Sequence, residues 1–298
     1  MREPNPRIPL LLLLLGCSPC GEEAALVDGP HPYRRCAFAD PWEGAFTHGE
    51  LQLEGEGRAL RVQGLTQWAA FGASEAAGSR LEGLEAMPLM ILGGPRDEAG
   101  WRALLEATGD RLVFVLPGGE DDPEVLAELL EEEERWVNLM GVHELRLDHG
   151  TFVVLPGSRD GRYSLGRGCG FAESDLAALS LAEGAPRWWL SWMTPRSEGP
   201  RGPDVGFGEV HAGDEALAAF GQAQGITGGI FAWPTTTAGT VSRNDGADPV
   251  ADEAVTDLSA VVPRLGEAVE RFDGALLPSG VLLVDLDGEG LRAGYRPL

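Results

Sequence analysis

Twice between residues 88 and 136 the chain passes from an apolar run to a glycine-rich break and then to a capped amphipathic helix. Pro88 to Leu92 stops at Gly93-Gly94-Pro95, and Asp97 then precedes a helical pattern closed by Gly109. Leu112 to Leu116 empties into Pro117-Gly118-Gly119-Glu120-Asp121-Asp122, after which Asp122 suits an N-cap and Pro123 the first helical position. Apolar runs this short, β-branched in part, read as strands covered on both faces. Strand, loop and helix in repetition demand a parallel sheet. In such a sheet the loops just past the carboxyl ends of the strands are where ligands are held.

The remaining pattern fits one mixed α/β domain over residues 49–298, with 18–48 as a tether. Leu51 to Glu54 and Ala59 to Leu65 suggest adjacent strands, as do Val142 to Leu147 with Thr151 to Leu155 and Val281 to Leu286 with Leu291 to Tyr295. Arg187 to Trp192 and Gly228 to Ala232 are further strands. Between them Asp214 opens a helix, and Ser174 to Glu183 forms a short one. Residues 249–272 carry a helical pattern interrupted at Pro263.

Charge excludes one class of partner. With 47 acidic against 23 basic residues the formal net charge is −24, which repels nucleic acid and anionic lipid heads. The first residues read as an export signal: Arg2 and Arg7 precede the apolar run Ile8 to Leu15, too short to span a bilayer. The run ends Leu14-Leu15-Gly16-Cys17, which resembles a bacterial lipobox. That resemblance implies that 1–17 form a lipoprotein signal peptide, that Cys17 carries lipid, and that the chain is anchored to the bacterial cell envelope. Ser18, with no Asp after the Cys, points to the outer rather than the inner membrane. Of the other cysteines, Cys20 and Cys36 could close a short loop and leave Cys169 alone, but spacing does not fix the pairing, and a structural disulfide and free buried thiols both stay open ahead of metal binding.

The strand running into Gly118-Gly119-Glu120-Asp121 resembles the Gly-Asn-His-Asp segment of the calcineurin-like metallophosphoesterases. The resemblance covers residues 59–240, in the family's order of motifs. Thr66-Gln67-Trp68 stands where Asp-x-His would be, and Gly93-Gly94 where Gly-Asp would be. Trp192 takes the place of a lone His, and Trp233-Pro234-Thr235 that of Gly-His-x-His. It implies an α/β (α+β) fold, a sandwich of two mixed β-sheets flanked by helices. It also implies an ancestral site for two divalent metals, of which Thr66, Trp68, Gly94, Gly119, Trp192, Trp233 and Thr235 are the former ligand positions.

A dinuclear site needs about six to eight donors, and those positions offer almost none. The expectation is therefore no metal cofactor and no phosphoesterase activity, in a protein that binds an unidentified ligand or partner or serves structurally. Three indoles in the vacated volume would either plug it as extra core or line a pocket for an apolar or sugar-like ligand. The alternative is an active metal-dependent phosphoesterase with two divalent metals on a shifted ligand set drawn from Asp97, Glu120, Asp121 and His211. A third reading is another α/β lipoprotein whose motifs coincide by chance.

Overall fold

The computed structural model describes residues 67–298 apart from 85–86, 96, 134, 142, 148–149, 164–167, 182–183, 185, 199–201, 244–256 and 288–289. It also describes five strands nearer the N-terminus: Leu26–Val27, Tyr33–Arg35, Glu43–Thr47, Glu50–Gly55 and Arg58–Gln63. The expectations placed on Cys17, Cys20, Cys36 and Thr66, and on residues 1–17, lie outside the described residues.

The two β-loop-α units fold as their sequence dictates. Strands Leu89–Leu92 and Val113–Leu116 are adjacent and parallel, with Leu89 opposite Val113 and Leu92 opposite Leu116. Asp97 caps helix Glu98–Ala107 by accepting a hydrogen bond from Gly100 N at 2.7 Å, and Asp122 caps Pro123–Leu130 through Glu124 N at 3.1 Å. Gln67–Ala73 and Trp136–Asn138 extend the parallel set on either side. Beyond Gln67–Ala73 the antiparallel hairpin Gly280–Asp287 with Gly290–Pro297 completes this sheet.

A second sheet carries the parallel strands Gly150–Leu155, Arg187–Met193, Ile226–Trp233 and Leu258–Val261. Val241–Arg243 pairs antiparallel at one end and Glu144–Leu147 at the other. Glu43–Thr47, Glu50–Gly55 and Arg58–Gln63 then continue this sheet, so part of the segment read as a tether is built into it.

Residue alternation assigns the faces. Trp68, Ala70, Met90, Leu92, Phe114 and Leu116 join Phe152, Val154, Trp188, Leu190 and Ile230 in one core between the sheets. The intervening Phe71, Leu89, Ile91, Val113 and Val115 pack instead on Trp101, Leu104, Leu105, Leu126 and Leu129 of the helices outside. On the outer side of the second sheet Trp189 meets Phe220 of helix Glu215–Gln224, their rings 5.9 Å apart. The fold is thus a sandwich of two mixed β-sheets flanked by helices. Burial at about 1.5 to 3 kcal/mol per large apolar side chain is what holds it.

One expectation fails, and for a tertiary reason. The helical pattern over 249–272 gives way, among the described residues, to strands Leu258–Val261, Arg264–Leu265 and Val269–Glu270. Leu258–Val261 is claimed by the sheet, wedged between Ile226–Trp233 and Val241–Arg243, and Gly72 N bonds Pro263 O at 2.9 Å. Pairing and burial on both faces outweigh a local helical spacing. Cys169, whose pairing the sequence leaves open, is buried and disulfide-bonded.

Candidate functional site

The loops that leave the carboxyl ends of the parallel strands in both sheets converge, and one cleft opens where they meet. Gly93 and Gly94 come from the loop after Leu89–Leu92, and Gly118, Glu120 and Asp121 from the loop after Val113–Leu116. The second sheet contributes Trp192, Trp233 and Thr235, and Arg264 closes one side. The sequence-derived positions at 93–94, 118–121, 192, 233 and 235 are therefore brought together. Trp68 is not: its indole is buried between the sheets, 5.8 Å edge-on from Phe152. A residue near the start of a strand whose alternation points inward belongs to the core, which overrides its place in the motif order.

Trp192 dominates the cleft. Its ring lies over Gly93, Gly118 and Gly119 so closely that a Cβ at Gly118 would stand 2.7 Å from Cδ1, and one at Gly119 2.9 Å from Cη2. Gly94 is pressed in the same way by Trp101, whose Cε2 would be 2.7 Å from a Cβ. These glycines are small because indoles occupy the space a side chain would need. Trp192 stacks on Trp233 with centroids 5.6 Å apart and planes 15° from parallel, and Tyr163 lies on Trp233 at 5.0 Å. What remains open is about 70 Å³, room for a handful of waters or the edge of a ligand.

Asp121 is the loops' internal fastener. Fully buried, its carboxylate accepts hydrogen bonds from Gly118 N at 2.7 Å, Gly94 N at 3.3 Å and Trp101 Nε1 at 3.3 Å. Burial pushes its pKa up to about 6, against the lowering effect of those three donors and of the Arg264 charge. Glu120, beside it, is half-buried at the cleft wall.

The other two side chains of the shifted ligand set lie elsewhere. Asp97 is exposed and spent on its helix cap. His211 faces the buried Asp204, its Nδ1 3.1 Å from both carboxylate oxygens, and Ser197 Oγ also donates to that carboxylate. Gly213 N donates to Asp204 at 3.2 Å, so the carboxylate organises the 196–214 loop, in which Pro203 O accepts from Thr237 Oγ1 at 2.6 Å. His143 precedes strand Glu144–Leu147, and burial pushes its pKa down.

The described residues of the cleft do not make a donor set for a pair of divalent cations. The cleft's side-chain oxygens are those of Glu120, Thr235 and the committed Asp121, indole has no lone pair to give, and glycine has only its carbonyl. Among the described residues no three of His, Cys, Asp and Glu gather to hold a metal.

Sequence reasoning missed Arg264 at the cleft, Tyr163 stacked on Trp233, and the ion pair of Arg159 Nε with the buried Asp214 at 2.6 Å. Each meets a partner that only the tertiary fold supplies, so no local spacing announces it.

No protein-family model matches the chain, and no curated protein matches it in sequence. One solved crystal structure aligns with 77% of this chain and 98% of its own at a TM-score of 0.50 and 8% identity, a likeness of fold alone. The crystal structure of TT1561 of Thermus thermophilus aligns over 77% of this chain and 98% of that one, with a TM-score of 0.47 and 15% identity.

Proposed function

We propose that the protein is a non-hydrolytic relative of the calcineurin-like metallophosphoesterases, exported and lipid-anchored through Cys17, whose converging loops bind a ligand rather than cleave phosphate esters. The observation that carries this is the seat of Trp192 on Gly93, Gly118 and Gly119, in the position the motif order gives to an imidazole ligand. The ring occupies the space directly over these glycines, where side chains of the loop would otherwise reach into the cleft. The one fully buried carboxylate there is committed to three N–H donors of the protein itself. Without cations, Arg264 alone would face charge building on phosphate, and no described group in the cleft would activate an attacking water as a bound metal does.

The full chain, purified and supplied with manganese, zinc or iron, is expected to hold well under two metals per molecule by elemental analysis and to leave phosphomonoesters and diesters intact. Two metals per chain, with hydrolysis abolished by Glu120→Ala, would overturn the reading in favour of a phosphoesterase with a shifted ligand set. The anchor is tested separately: Cys17→Ala should release the protein from the membrane fraction and remove the lipid mass. Unchanged fractionation and mass would refute it.

A further inference from the structure

We propose that the mouth of the cleft is a saccharide site, in which the exposed ring of Tyr163 takes the apolar face of a neutral sugar while Trp233 Nε1 and Arg264 Nε donate to its oxygens. This rests on reading the cleft as a binding site and names the class of its ligand.

Tyr163 is the first indication. It stacks on Trp233 yet remains 45% exposed, so packing alone does not account for its position. The turn that presents it is costly: Asp160, Gly161 and Tyr163 all have positive φ, at 53°, 65° and 62°. For the two that are not glycine, a left-handed backbone is disfavoured by about 1 to 2 kcal/mol each. Strained backbone clusters at ligand clamps, and here it holds a half-exposed ring against a residue of the cleft wall.

The second indication is polar. Trp233 Nε1 and Arg264 Nε are both buried and find no hydrogen-bond partner among the described residues, and both side chains line the cleft. Glu267, the carboxylate paired with Arg264, stands off at 3.6 Å from that nitrogen. Two buried donors on residues that line one small space call for acceptor oxygens beside it.

Charge selects among oxygen-bearing ligands. An anion would meet Glu120 and Asp121 within a chain of net −24, and a cation would meet Arg264. A neutral polyol uses both signs: its oxygens accept from Arg264 and Trp233, and its hydroxyls donate to Glu120. The open space of about 70 Å³ admits an exocyclic arm of a pyranose while the ring rests outside on Tyr163. A sugar's C–H face on an aromatic ring buries apolar surface without desolvating its hydroxyls.

The test is calorimetric titration of the full chain with glucose, N-acetylglucosamine and its trimer, alongside inorganic phosphate and a short polyarginine peptide. Saturable binding of at least one saccharide is expected, weakened at least about tenfold by Tyr163→Ala, a loss of about 1.4 kcal/mol or more. Trp233→Phe keeps the stack and removes the donor, and should weaken binding several-fold with an unchanged Tm. The proposal is overturned if no saccharide saturates, if phosphate or the peptide binds in its place, or if saccharide binding ignores both substitutions. Failure here leaves the non-hydrolytic reading intact, since that reading falls only on metal loading and ester hydrolysis.

Discussion

Gly118 lies directly beneath the indole of Trp192, with 2.7 Å between Cδ1 and the point where a Cβ would be. The two residues, distant in sequence, act as one packing unit.

Gly118→Ala is therefore expected to destabilise by about 2 to 3 kcal/mol through overpacking. Trp192→Ala, removing a nine-tenths buried indole, should cost about 3 to 5 kcal/mol. The double variant should lose clearly less than the sum, because the smaller side chain at 192 makes room for the new methyl. Chemical denaturation of the four proteins measures the coupling, and strict additivity would contradict the geometry.

Asp121 predicts a pH dependence. Its pKa rises on folding from an ordinary carboxylate value to about 6, so the folded state holds the proton more tightly than the unfolded one. The contribution is fully present below about pH 4 and is lost as pH rises toward 6, on the order of 3 kcal/mol. Asp121→Asn should remove that step while lowering stability overall, since its amide cannot accept from all three donors. The difference in unfolding free energy between wild type and variant, followed from pH 4 to 8, isolates it from the other carboxyls.

Asp204 gathers Ser197, His211 and Gly213 N from a fully buried position. Asp204→Ala leaves those donors unsatisfied and should cost about 3 kcal/mol. It should also raise hydrogen exchange over 202–213 more than over strand Val113–Leu116. Equal exchange in the two segments would mean that the carboxylate does not hold the loop.

Cys169 is disulfide-bonded, and the chain has three other cysteines, all N-terminal to residue 37. Its strand Cys169–Phe171 runs parallel to Tyr33–Arg35, with Cys169 opposite Arg34. Non-reducing peptide mapping should recover Cys169 joined to Cys36, the cysteine next to that strand, and reduction should lower Tm. A Cys20–Cys36 peptide with Cys169 free would contradict the arrangement.

What could be read from the sequence was what local chemistry decides. The caps at Asp97, Asp122 and Asp214, the strands before Gly93 and Pro117, and the hairpin from Gly280 to Pro297 each rest on neighbours within a few residues. The convergence at 93, 118, 192 and 233 followed from motif order along parallel strands. Trp68 shows the limit of that order, since only the pleat of the finished sheet turns its indole away from the cleft and toward Phe152. Leu258–Val261 shows another: its pairing on both edges with other strands decided its form. The commitment of Asp121 to Gly94 and Trp101, rather than to solvent or a cation, likewise depends on a loop from another strand.

The seat of Trp192 also acts as a ratchet on sequence change. A change of Gly119 toward Asn meets the indole at 2.9 Å and is resisted while the tryptophan stands. A change of Trp192 toward His first leaves a cavity under the loops, at a cost of about 3 kcal/mol or more, against a total stability of about 5 to 15 kcal/mol. Each single step is penalised in the absence of the other, so neither order offers a smooth route. With the ring and the glycines settled on one another, drift at either position is biased toward substitutions that preserve their contact.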